Sequence, residues 1–253
     1  MRACLNGGLG SKTYLMNRSH HPKLAKLAKL APKPAADLKQ AEAWVFDLDN
    51  TLYSPASRLF DQIDIRIRDF IAGFLKLDPD EAYRIQKLYF REHGTTMRGL
   101  MNRHDMEPGP FLDHVHDIDL SAIPPDPVLD HALGRISGRK IVFTNADNRH
   151  AERIMDKIGI SHHFEGVFDI IETDYIPKPE PQVYAQLVKT FALNPETTVM
   201  VEDMARNLIP AHAMGMTTVW VQNDTPWGAE DADGDHIDHT ADGLAPWLDA
   251  VLN

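Results

Sequence analysis

Short apolar, β-branched runs punctuate the chain at Ala43–Phe46, Lys140–Phe143, Val167–Ile170, Thr198–Val201 and Thr217–Val221. Between the later runs the apolar positions switch to helical spacing. Ala151, Ile154, Met155 and Ile158 share one helical face before Gly159 stops the helix. Pro181–Leu193 and Ala205–Met214 behave alike, the second ending at Gly215. Strands alternating with helices predict a parallel sheet covered on both faces, a doubly wound α/β core.

The interval between the first two runs, about 55–138, is far longer than one crossover helix needs. Its pattern is mostly helical: Arg58–Leu77, a second helix opening at Asp78-Pro79-Asp80-Glu81, and more to about His116. Asp78 suits an N-cap, Pro79 suits the first helical position, and the acids complement the helix dipole. The segment therefore reads as a helical cap inserted after the first strand. The expected organisation is a core from 41–54 and 125–253, a cap over 55–124, and Pro124-Pro125-Asp126-Pro127 as the return linker.

Charge divides the chain again. The first 40 residues carry eight Lys/Arg and one acid, whereas the remainder carries 18 bases and 36 acids, a net of −18. So acidic a body argues against binding a nucleic-acid polymer. The run Lys23-Leu24-Ala25-Lys26-Leu27-Ala28-Lys29-Leu30 could form a basic helix that touches an acidic partner or a membrane surface. It spans only about two turns before Pro32, and isolated helices of that length are marginal, so residues 1–40 are expected to be a disordered basic extension. No apolar run approaches the roughly 18 residues of a membrane span, and no long apolar stretch suggests a secretory signal. The single cysteine, Cys4, fits a reducing, cytoplasmic setting. Gly10-Ser11-Lys12-Thr13 lacks the residue order and preceding strand of a phosphate loop.

Candidate chemistry sits at the strand ends. The first run leads into Asp47-Leu48-Asp49-Asn50-Thr51, the second into Thr144-Asn145, and the fourth into Glu202-Asp203 followed by Asn207. Lys178 lies in the loop Ile176-Pro177-Lys178-Pro179-Glu180-Pro181 that opens a helix. A carboxylate can attack phosphorus to give an acyl phosphate that water then hydrolyses. A second carboxyl group can protonate the leaving oxygen and later deprotonate the water. Asp47, Asp49 and Asp203 cannot be gathered around a phosphate dianion without positive charge, which a hard cation such as Mg²⁺ and the Lys178 ammonium would supply. Thr144 and Asn145 can donate to phosphoryl oxygens.

These four segments, in this order from residue 43 to about 222, closely resemble the haloacid dehalogenase (HAD) superfamily. The resemblance implies Asp47 as nucleophile, Asp49 as general acid/base, and a Mg²⁺ held by the Asp47 side chain, the Asp49 carbonyl and Asp203. It implies Thr144 and Lys178 as phosphoryl-binding groups, with Asn145 and Thr51 beside the substrate. Members that cleave carbon–halogen bonds lack an acid at the Asp49 position, so its presence argues for phosphate esters. Met204 stands where a serine often follows the acidic pair, which removes one hydroxyl near the metal.

Further strings are similar to the pyrimidine 5′-nucleotidase subgroup: Phe46–Tyr53 with Ser54-Pro55, Arg91–Leu100, Asp113–Asp119 and Arg139–Asn145. That resemblance implies a phosphatase for nucleoside 5′-monophosphates with a pyrimidine preferred. Arg98 and His93, near the Gly94 turn of the cap, are candidates to meet the substrate, the alternative being ordinary surface residues. The alternatives are a sugar-phosphate or phosphoglycolate phosphatase, a phosphomutase on the same core, or a regulatory protein that binds through its basic tail. His114 and His116 share a strand-like spacing with no third ligand, and read as packing or capping residues. His20-His21 reads as solvated tail. Glu202 is expected to contact the metal or orient its neighbours. Glu230–Asp238 lacks the ligand pattern of a calcium loop and reads as a solvated loop.

Overall fold

The computed structural model describes residues 38–223, 225 and 227–253. The basic run Lys23–Leu30 and His20-His21 lie outside them. Six parallel strands, β1 (Ala43–Phe46), β2 (Arg139–Phe143), β3 (Gly166–Phe168), β4 (Thr198–Glu202), β5 (Thr217–Val221) and β6 (His239–Ala241), pair in the order β3-β2-β1-β4-β5-β6. Phe46 lies opposite Val142 on one side and Val201 on the other. The chain beyond each strand therefore leaves the sheet at one common edge. In this strand order the connections reverse direction at β1 and β4, and such a reversal opens a crevice at the carboxyl edge.

Five α-helices lie between β1 and β2, and the first four form the insertion: α1 (Leu59–Leu75), α2 (Pro79–His93), α3 (Thr96–His104) and α4 (Pro108–Val115). After them come α5 (Pro127–Gly134), α6 (Asn148–Ile158), α7 (Pro181–Thr190), α8 (Ala205–Met214) and α9 (Leu244–Leu252). The period of two along each strand sorts side chains between two cores. Trp44, Phe46, Val142, Val199 and Val201 pack with residues of α5, α6 and α9. Ala43, Val45, Ile141, Phe143 and Met200 pack with α7 and α8 on the other face. Burial on both faces is why these strands read as unbroken apolar runs.

The inserted helices hold a third core of Ile71, Ala82, Tyr89, Met97, Leu100, Phe111, Leu112 and Val115, which reaches Ile170 of the sheet layer. The Asp78 carboxylate accepts from the Asp80 and Glu81 amides at 3.0 Å each, and Pro79 opens α2, as the spacing predicts. Where α3 crosses α2, a Cβ on Gly99 would stand 2.4 Å from the Tyr89 side chain, so the two helices approach too closely for any larger residue.

Several elements differ from the sequence reading. β3 ends at Phe168 because the Asp169 carboxylate caps the next turn, accepting from Ile171, Glu172 and Asn148 amides. The tail boundary at 40 is too late: Leu38 is buried and joins the core that holds Trp44. Pro124–Pro127 is not only a linker, since Asp126 caps α5 through the Val128 and Leu129 amides. His114 and His116 do follow expectation, the first in the last turn of α4 and the second as its C-cap. Glu230–Asp238 is tied down rather than merely solvated: Asp238 accepts from the Thr218 amide at 2.8 Å, and His236 is buried.

Candidate active site

The carboxyl ends of β1, β2 and β4 gather the predicted charged residues. Lys178 Nζ, on the loop before α7, stands 2.6 Å from Asp47 Oδ1, 2.7 Å from Glu202 Oε2 and 2.8 Å from the Phe143 carbonyl. These three acceptors use all three ammonium protons. Thr51 Oγ1 donates to Asp47 Oδ2 at 3.1 Å, so both oxygens of the leading aspartate are oriented. Asn145 ties the lysine loop to β2: its Oδ1 accepts from the Lys178 amide at 2.8 Å, and its Nδ2 donates to the Lys178 carbonyl at 3.4 Å. Thr144 is buried, and its oxygen accepts from the Ala146 amide at 3.0 Å, which leaves its proton free to donate.

Oxygen atoms of Asp47, Glu202 and Asp203 all lie within 4.8 Å of one another, and all three residues are buried. Among the described residues, Lys178 is the one cation hydrogen-bonded to this trio, while Asp203 Oδ2 accepts only a neutral donor, Asn223 Nδ2, at 2.9 Å. Burial first, and then the Glu202 charge, raise Asp47 to about 7 despite Lys178. Burial first, and then the Glu202 and Asp47 charges, push Asp203 well above the ordinary carboxylate range. Burial alone would favour neutral Lys178, but Asp47 and Glu202 outweigh it and hold its ammonium firmly charged. Three carboxylates sharing one ammonium form an all-oxygen, net negative donor set, which fits a hard divalent cation.

Asp49 belongs to a different network. Its Oδ1 accepts from Tyr53 OH at 2.6 Å and lies 3.3 Å from His150 Nε2. Burial raises Asp49, yet hydrogen bonding and charge from His150, with the Tyr53 hydroxyl, bring it below its usual value. His150 stacks on His116 with ring centres 4.2 Å apart, and His116 Nδ1 stands 2.7 Å from Asp147 Oδ2. Asp147 also caps α6 through the His150 amide at 2.8 Å. Sequence reading missed His150, Tyr53 and Asp147. Tyr53 lies four residues from Asp49, whereas Asp147 and His150 stand at the start of α6, which the fold brings beside Asp49 from 101 residues away.

Above these groups lies a cavity of about 180 Å³, bordered by Asp47, Asp49, Thr144 and Lys178 on the sheet side. Phe60, Ile63, Gln86, Phe90 and Phe111 contribute from the inserted helices, and Trp227 from a loop after β5. His93 and Arg98 are not among the residues bordering it. They line a neighbouring cleft of about 350 Å³ with Arg91, Asn102 and Pro179. Gly94 and Arg206 border both spaces. Gly94 has φ +82°, and a Cβ there would meet Pro177 Cγ at 3.0 Å, so the cap touches the lysine loop where only glycine fits.

Residues 41–215 match the family model of haloacid dehalogenase-like hydrolases. The chain belongs to this family of hydrolases. Among curated relatives, this hydrolase is 25% identical over 228 residues to phosphate metabolism protein 8 of Saccharomyces cerevisiae, covering 81% of the chain and 71% of that protein. It is 27% identical over 228 residues to the glyceraldehyde 3-phosphate phosphatase of Methanopyrus kandleri, covering 83% of the chain and 97% of the relative. The crystal structure of a HAD phosphatase from Thermococcus onnurineus superposes with a TM-score of 0.58 at 17% identity, covering 84% of this chain and 98% of that one. No helix among the described residues is long and apolar enough to cross a membrane.

Proposed function

We propose that this hydrolase is a Mg²⁺-dependent phosphomonoesterase working through a phospho-aspartyl intermediate on Asp47. The observation that carries the reading is the pairing of two differently held aspartates on one strand end. Asp47 has both oxygens oriented by Lys178 and Thr51, and Asp49 stands beside it in its own network. In the first step an Asp47 oxygen bonds to phosphorus while the phosphorus–oxygen bond to the leaving alcohol breaks. A phosphate dianion brought beside Asp49 favours its protonated form over the charged form that His150 and Tyr53 hold without substrate, and the protonated carboxyl gives its proton to that alcohol. In the second step Asp49 takes a proton from water, the water oxygen attacks phosphorus, and the Asp47 carboxylate is released. Lys178 and the Thr144 hydroxyl offset charge on the transferring oxygens.

The metal would be held by the Asp47 and Asp203 carboxylates and the Asp49 carbonyl. It would supply the positive charge that three buried carboxylates and a phosphate require. The substrate reading is a nucleoside 5′-monophosphate, with a pyrimidine preferred. The aromatic wall of the cavity supports it, because a flat base has ring faces to stack and a short polyol has none. A second reading, a sugar-phosphate phosphatase, draws on the Methanopyrus kandleri relative, which is matched over nearly its whole length. Phosphate release measured with Mg²⁺ across nucleotides and sugar phosphates separates the two. Higher kcat/KM for UMP or CMP than for AMP, GMP or any sugar phosphate is expected. A clear preference for glyceraldehyde 3-phosphate, phosphoglycolate or a hexose phosphate would overturn the nucleotidase reading.

A further inference from the structure

Away from the catalytic cavity, α5 and the turn after α6 bring three side chains that can bind a metal to one point. Asp130 lies in the first turn of α5, and His162 and His163 belong to the short 3₁₀ turn Ser161–His163 that precedes β3. His163 Nε2 stands 2.7 Å from Asp130 Oδ1, and His162 Nε2 stands 3.3 Å from the same oxygen. The two imidazole rings lie side by side, their centres 4.0 Å apart and their planes inclined by 39°. One ligand atom from each of the three residues falls within 4.8 Å of the other two. None of the three residues borders the catalytic cavity.

One carboxylate oxygen can accept from both rings only if each carries a proton on Nε2. A metal ion at the convergence takes the lone pairs of both nitrogens instead and leaves each proton on Nδ1. Four ligands placed tetrahedrally around Zn²⁺ at about 2.0–2.1 Å stand roughly 3.3–3.4 Å from one another. The His162–Asp130 separation already has that value, and the His163–Asp130 contact needs to widen by only about 0.6 Å. His163 is packed down at 13% side-chain exposure, while His162 at 64% stands in solvent and can adjust. The open side leaves room for water as the fourth ligand. The donor set also differs in kind from the catalytic trio: all oxygen there suits a hard cation, whereas two imidazoles and a carboxylate suit a first-row transition ion. We propose that Asp130, His162 and His163 form a second metal site for a divalent transition ion such as Zn²⁺, separate from the catalytic one. An ion bound there fastens α5, where the chain returns from the cap to the core, to the turn ahead of β3, a link across 33 residues of sequence.

The test titrates Zn²⁺ into the full chain by calorimetry, with Mg²⁺ in large excess to occupy the catalytic carboxylates. Cys4, His20 and His21 also lie in the chain, so binding is scored as the difference between wild type and cluster variants. Wild type should show one Zn²⁺ more than His162→Ala or Asp130→Asn, or bind it at least about 10- to 100-fold more tightly, since even residues behind the ligands cost that much. Zn²⁺ at 100 times its dissociation constant should raise the melting temperature of wild type by about 5 °C and that of the variants by far less. Equal stoichiometry, affinity and thermal shift in wild type and both variants would overturn the site. Variants that melt earlier, with no Zn²⁺ effect in wild type, would reduce the cluster to a histidine–aspartate ion pair. Nitrogen-15 NMR of the histidines reads wild type alone, so the proposal stays testable if Asp130→Asn fails to fold. Zn²⁺ should move the Nε2 resonances of His162 and His163 while both Nδ1 atoms keep their protons. Resonances of these two rings indifferent to saturating Zn²⁺ would overturn the proposal without any variant.

Discussion

The two walls of the catalytic cavity are built on opposite terms. On the sheet side, Asp47, Thr144, Glu202 and Asp203 follow directly from strand ends, and Lys178 donates to oxygens of Asp47, Glu202 and Phe143 at 2.6–2.8 Å. On the cap side, Phe60, Phe90 and Phe111 from three helices present mainly apolar surface, with Asp64, Lys87 and Thr96 among the polar residues beside it. The first wall concentrates charge that only phosphate and a cation answer. The second wall excludes water and meets whatever the phosphate is attached to. Under the proposed function, reaction and selectivity fall to different segments of chain, and changes on one side should leave the other side's property intact.

The largest effect should follow from Asp47→Asn, which keeps shape and removes the nucleophile. Turnover is expected to fall below roughly a thousandth of wild type for every phosphomonoester, with the unfolding transition preserved. Retention of more than a few per cent in a preparation free of wild-type protein would break the division of labour at its base. Asp49→Asn comes next, at about 10²–10⁴-fold in kcat through lost proton transfer. That loss should ease for substrates whose leaving group needs no proton, which an activated aryl phosphate would reveal.

Lys178→Met removes the one ammonium bonded to the buried trio. Stripping a partner from a buried ion pair typically costs about 3–5 kcal/mol, measurable by denaturant unfolding without metal. Wild-type stability there would show that the three carboxylates shed their charge by protonation instead. Mg²⁺ should stabilise the wild-type enzyme by about 2.7 kcal/mol at 100 times its dissociation constant, and Asp203→Asn should diminish that gain. A melting temperature indifferent to Mg²⁺ would leave the carboxylate trio without its expected cation. The smallest effect is expected from Arg98→Ala. Its side chain lines the neighbouring cleft, so kcat/KM for nucleotides and aryl phosphate should each stay within about threefold of wild type. A selective loss on nucleotides would mean that the substrate extends past Gly94 into that cleft.

This contrast also explains what the sequence disclosed. A buried parallel strand announces itself as an apolar run, and the residue after it lands at the ligand edge of the sheet by geometry alone. Asp47, Thr144 and Glu202 were legible for that reason, and so was Asp78 as the cap of α2. Asp130 carried no such mark. It lies among the helical positions of α5, and its meeting with His163 spans 33 residues of sequence. His150 was hidden for a similar reason, since its tie to Asp49 spans 101 residues of sequence. β6 escaped because a three-residue edge strand, His239–Ala241, is too short and polar to set a pattern. His93 and Arg98 flank the Gly94 turn, but that turn packs on Pro177, and both side chains line the adjoining cleft.

The proposed mechanism requires that Asp47 itself become phosphorylated. Wild-type enzyme mixed with Mg²⁺ and excess UMP, quenched in acid within a turnover and digested, can be read by tandem mass spectrometry. The peptide containing Asp47 should carry one phosphoryl group, assigned to that residue and not to Asp49 or Asp203. The signal should vanish in Asp47→Asn and accumulate when Asp49→Asn slows attack by water. Phosphate released at the wild-type rate, with no modified Asp47 at any quench time in either wild type or Asp49→Asn, would contradict the covalent mechanism and favour direct attack by water.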